Sequence, residues 1–81
     1  MFKCGDKVQL VEKPKRRGKS PIPLVVLEDR RSEIVLKDEE TNETVTFAHM
    51  TQYDGWKMLF PDMEGKRCFS QRGPTYDIVK A

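Results

Sequence analysis

Short runs of alternating apolar and polar residues, each cut off by turn-forming residues about every 8–12 positions, constrain this chain more than any other feature. Phe2, Cys4, Val8 and Leu10 share even positions while Lys3, Lys7 and Gln9 take the odd ones, with Gly5-Asp6 as a turn or bulge between. Leu24 to Leu27 is a continuous apolar run, the pattern of a strand covered on both faces. Ile34-Val35-Leu36 and Thr44-Val45-Thr46-Phe47 flank the polar turn Asp38–Glu43 and read as a hairpin. Trp56, Met58 and Phe60 alternate with Lys57 and Leu59, and Tyr76 and Ile78 share one face of a last strand, Thr75 to Val79. Arg67 to Ser70 extends a strand pair, and His49 to Gly55 has room for a single helical turn closed by Asp54-Gly55. No window of eleven residues keeps a 3.6-residue period, so no long helix is expected.

This spacing predicts an all-β domain: a small antiparallel SH3-like barrel or sandwich of five to seven short strands, spanning 1–81 as one unit. Barrel closure removes exposed strand edges, which matters for so small an all-β chain. The predicted core is Val8, Leu10, Val26, Ile34, Leu36, Val45, Phe47, Trp56, Met58 and Ile78. Residues 13–23 are expected to form a flexible basic loop, because Pro14, Gly18, Pro21 and Pro23 interrupt any ladder there.

The opening segment Phe2-Lys3-Cys4-Gly5-Asp6-Lys7-Val8-Gln9-Leu10 resembles the first strand of small barrels of the KOW and Tudor type, where a Gly-Asp turn precedes a strand of alternating apolar residues. The resemblance covers these nine residues and implies a barrel fold. It names no ligand, and the long basic loop that follows departs from the compact family pattern.

Charge is distributed unevenly. The net charge is only +2, yet residues 1–20 carry +5, residues 21–60 carry −4 and residues 61–81 carry +1. Lys13, Lys15, Arg16, Arg17 and Lys19 place five cations within seven residues. A cationic loop can follow a phosphate backbone without fixed geometry, so nucleic acid or a nucleoprotein is the leading expected partner. Arg67 and Arg72 would extend that surface, and Tyr53, beside a turn, would supply an exposed ring for base stacking. The bland reading is a solvated loop. Trp56 alternates with Met58 and Phe60 and reads as core rather than as a stacking platform.

Glu28, Asp29, Glu33, Asp38, Glu39, Glu40 and Glu43 form the acidic counterpart. Asp38, Glu39, Glu40 and Glu43 can bind a basic surface on another protein, which makes a protein-binding adaptor or inhibitor the alternative. They can equally neutralise the basic loop within the chain.

Catalytic chemistry finds no foothold. One histidine and two cysteines 64 residues apart, without a CxxC, do not make a zinc set, and His49 reads as a surface or strand-end residue. Gly18-Lys19-Ser20 spells the end of a phosphate-binding loop but lacks its earlier glycine and its following helix. The expectation is a non-enzymatic binding module with no metal or cofactor. The start of the chain lacks an apolar signal-type stretch, and no run approaches the ~20 apolar residues of a membrane helix. Cytoplasmic location, no membrane partner and free thiols at Cys4 and Cys68 follow as expectations.

Overall fold

The computed structural model describes residues 2–13 and 22–81. Seven strands appear in chain order: β1 (Lys7–Lys13), β2 (Ile22–Asp29), β3 (Glu33–Lys37), β4 (Thr44–Met50), β5 (Gly55–Pro61), β6 (Arg67–Cys68) and β7 (Thr75–Lys80). The single helical turn is a 3-10 turn at Thr51–Tyr53, and Asp54 ends it in the left-handed conformation. All strand pairings are antiparallel. The ladder runs β4-β3-β2-β1-β7-β5, and the further pairing of β4 with β5 closes it into a six-stranded barrel, with β6 added on the flank of β5. The all-β barrel expected from the alternation is the fold.

Local chemistry explains the joints. Gly5 adopts φ +93° in the turn before β1, and its N–H donates to the Val26 carbonyl at 2.7 Å while Val26 N–H donates to Asp6 O at 2.9 Å. The Gly-Asp turn is thereby stitched to β2. The β2–β3 register shifts between Val26 and Glu28, a bulge that leaves Leu27 37% exposed. The strands β5 and β7 share one register pair, Trp56↔Tyr76. A Cβ on Gly55 would lie 2.5 Å from Thr75 Cγ2 and 3.0 Å from Tyr76 O, so only glycine allows this close approach.

The core consists of Val8, Leu10, Leu24, Val26, Ile34, Leu36 and Phe47, with Phe2, Val45, Trp56, Tyr76 and Ile78 packed partly against it. Phe47 meets Tyr76 edge-on at 5.7 Å, tying β4 to β7 across the interior.

Three expectations need correction. The first concerns the loop at 13–23: Lys13 belongs to β1 and Ile22 and Pro23 to β2, where Leu10↔Ile22 and Gln9↔Pro23 are paired. Pro23 is tolerated because β3 pairs with β2 only from Val25↔Lys37 onward, so a missing donor there deprives β3 of nothing. The loop's middle, 14–21, lies outside the described residues. The second is Met58. It stands opposite the buried Phe47 in the β4–β5 register but is 41% exposed, because β5 and β7 part after Trp56 and leave it uncovered. Lastly, Leu24, absent from the expected core, is buried opposite Val8.

Candidate functional site

Sequence reasoning singled out a basic set and an acidic set, and the barrel treats their members differently. Among the basic residues, Lys13 is committed to structure. Its Nζ donates to the Asp54 carbonyl at 2.7 Å and lies 3.6 Å from the carboxylates of both Asp54 and Asp77. It thus braces the β1–β7–β5 seam. Arg67 pairs with Glu33, Nη1 to Oε1 at 2.7 Å. Arg72 is exposed and forms no ion pair among the described residues. Lys15, Arg16, Arg17 and Lys19 lie outside the described residues.

Tyr53 is half-buried rather than exposed. Its ring meets Phe69 edge-on at 6.1 Å, and Lys57 Nζ sits 4.5 Å from its centroid. One face of the ring is therefore occupied by an ammonium and cannot take a base. His49 is exposed near the end of β4 and touches Trp56 edge-on at 5.2 Å.

Lys57 is the residue the sequence reading missed. It is 3% exposed, and its ammonium donates to the Gly73 carbonyl at 2.6 Å. In register it stands opposite Ala48. The short Ala48 side chain leaves space for the lysine stem, and Tyr53 and Gly73 cover its head. Lysine almost never sits fully buried unless partnered, and here the partners are a carbonyl and a π-face. No local sequence signal marks it, since Ala48 comes opposite only through the β4–β5 register and Gly73 lies 16 residues further on.

Where β5 and β7 part, a crevice of about 180 Å³ opens, lined by Met58, Phe60, Pro74 and Tyr76, with Ser70, Gly73 and Lys57 completing it. Phe60 is 43% exposed there. Burial raises the Tyr76 hydroxyl pKa above its ordinary value, with the nearby Glu12 charge adding to the shift. Arg72 precedes Gly73 at this crevice. The β1–β7 register sets Lys13, where β1 ends, opposite Thr75, so the root of the basic loop and Arg72 share one end of the barrel.

The acidic residues divide into structural and unengaged. Asp29 accepts hydrogen bonds from Phe2 N–H at 3.0 Å and Arg31 N–H at 2.9 Å, which hold its pKa below the ordinary value. Glu28 is lowered by its hydrogen bond to Arg30, and Glu33 holds Arg67. Asp38 shapes the β3–β4 turn: its Oδ1 accepts from Glu40 N–H at 2.9 Å, and Asn42 adopts φ +61°. Glu39, Glu40 and Glu43 are exposed, and their carboxylates have no hydrogen-bond or ion-pair partner among the described residues. Beside this turn lies a cleft of about 530 Å³ bordered by Ile22, Pro23, Val25, Glu39, Glu40 and Lys7.

Other chemistry is sparse. Cys4 is exposed and Cys68 half-buried, both as free thiols, with Cys68 Sγ 3.5 Å from Phe60 O. Among the described residues, no three His, Cys, Asp or Glu side chains gather as metal ligands do, and no helix is long and apolar enough to cross a membrane. Compared with protein-family models, curated proteins and solved structures, the chain matches none.

Proposed function

We propose that this chain is a non-enzymatic binding module that engages nucleic acid or a nucleoprotein at the barrel end where the β1–β2 loop leaves Lys13. The observation that supports this reading is the coincidence, at that end, of Arg72, which has no ion pair among the described residues, with the open crevice of Phe60, Met58 and Tyr76. A cation beside the exposed Phe60 ring matches what single strands need, because phosphates are held by charge and bases by any available π-face. The cations Lys15, Arg16, Arg17 and Lys19 follow Lys13 closely in sequence. Lys13 and Tyr53 leave the interface set, since both are engaged in holding the barrel. Arg67 contributes less than Arg72, because leaving Glu33 costs it a 2.7 Å contact.

The test is a salt titration of binding to a short fluorescent single-stranded oligonucleotide. Each phosphate contact on a single strand contributes a slope of about −0.7 in log affinity against log salt. Arg72→Ala should lower the slope by about that amount, and the Arg16→Ala/Arg17→Ala pair by about twice as much. Phe60→Ala should weaken binding with an unchanged slope, since lost stacking releases no counterions. Absence of binding at low salt, or slopes that none of these variants moves, refutes the reading.

A further inference from the structure

The acidic turn and its cleft share no lining residue with the crevice of Phe60 and Tyr76 and serve no purpose in phosphate binding. We infer that this cleft is a second binding site, which takes an extended cationic and apolar segment of a partner protein.

Three observations carry this. The floor is apolar and uncovered: Ile22 is 44% exposed, beside Pro23 and Val25. The wall is acidic: Asp38, Glu39 and Glu40 line the cleft against one ammonium among the described residues, Lys7, and Glu43 stands on the same turn. Neither Glu39 nor Glu40 spends its carboxylate on a described neighbour, whereas Glu28, Asp29 and Glu33 in the same acidic stretch are all engaged. Finally, the backbone there has an open side. Ile22 to Leu24 pair with β1 on one side, but pairing with β3 starts only at Val25↔Lys37, so on that side no described strand lies against them, and Pro23, lacking an N–H, leaves its carbonyl as the acceptor.

An extended segment answers all three features. Its side chains alternate, so one set can rest on the apolar lining of the cleft while the other presents cations to Glu39 and Glu40. Nucleic acid is disfavoured in the cleft by the same carboxylates. Among the described residues, the lysines nearest the cleft set the limit of this complementarity. Lys7 lies on its border, and Lys37, at the foot of the turn, sits across from Val25 in register.

The probe is a capped peptide of alternating arginine and valine, titrated into the isotope-labelled full chain and followed by amide shifts. Saturable shifts at Ile22, Leu24, Val25, Glu39 and Glu40 are expected. The triple change Glu39→Gln, Glu40→Gln, Glu43→Gln should weaken the peptide about tenfold. Lys7→Gln should tighten it, and Ile22→Ser should weaken it without altering its salt dependence. The pair Asp62→Asn/Glu64→Gln, carboxylates on the β5–β6 turn, should leave it unchanged. An equal loss from that control pair means non-specific charge attraction and overturns the site. So does a lack of saturable shifts at the cleft. Tighter peptide binding by the Arg16→Ala/Arg17→Ala variant also overturns it, since the chain's own loop would then be the occupant. Oligonucleotide affinity measured on the same proteins separates the two proposals. Peptide binding without oligonucleotide binding refutes only the nucleic-acid reading, and the reverse refutes only the cleft.

Discussion

Replacing Lys57 separates what a buried lysine contributes through its stem from what it contributes through its charge. The side chain is 3% exposed, with one carbonyl acceptor and one aromatic face at its head. Moving an ammonium out of water costs several kcal/mol even after relaxation, and a neutral carbonyl with a π-face recovers only part of that. Lys57→Met keeps most of the stem's volume and discards the charge. It leaves the Gly73 carbonyl without its donor, at about 1–3 kcal/mol if water cannot reach it, and it removes the desolvation cost. The two terms oppose each other, so this variant should stay within about 1 kcal/mol of the parent. Lys57→Ala also deletes three methylenes, at about 0.8 kcal/mol each, and leaves a hole under Tyr53. It should lie about 2–4 kcal/mol below the methionine variant. A domain of this length has a total margin of only about 4–12 kcal/mol, so the difference is easily resolved.

Urea denaturation followed by Trp56 fluorescence measures both variants, with the slope checked for constancy. If the methionine variant falls as far as the alanine one, the ammonium and its contacts hold the Tyr53–Gly73 cover in place, and the assignment of stability to the packed stem is wrong.

Two further outcomes follow from the same geometry. Asp29 has a folded-state pKa below its ordinary value because Phe2 and Arg31 N–H groups bond its carboxylate. Its contribution is therefore complete above the ordinary aspartate pKa and is lost as pH falls through the lowered value. Asp29→Asn should flatten the acid limb of a stability–pH curve in that range, and an unchanged limb would show that other carboxylates govern it. Gly55→Ala forces a methyl against Thr75 Cγ2 and Tyr76 O and should cost about 1–3 kcal/mol. Thermal unfolding at parental temperature would mean that the β5–β7 seam yields freely.

The barrel was legible because its strands obey local rules. Val8, Leu10, Ile34, Leu36 and Phe47 sit where the alternation put them, and the turn Asp38–Glu43 carries the Asx bond and positive-φ asparagine that its composition suggests. Closure was harder to read. The pairing of β7 with β1, then with β5 at a single residue pair, joins segments from opposite ends of the chain. No local pattern encodes that register. Met58 shows the consequence: its parity was read correctly, but whether that face is covered depends on where β7 runs.

Charged residues were the least legible, because sequence gives their number and not their partners. Lys13 looked like the first cation of a binding loop, yet its ammonium is shared by Asp54 and Asp77, 41 and 64 residues further on. Lys57 looked like the solvent-facing half of an alternation and is instead sealed beneath Tyr53 and Gly73. Ion pairs at an exposed surface contribute about 0–1 kcal/mol each, so selection for stability alone would tolerate many alternative pairings. Arg72, Glu39 and Glu40 belong to the charged side chains without an ion pair among the described residues, and the two proposals rest on these three. Arg72 adjoins Gly73 of the Phe60 crevice, whereas Glu39 and Glu40 line a separate cleft. On the two proposals taken together, the target would be divided in the same way, phosphate at the crevice and basic protein at the cleft.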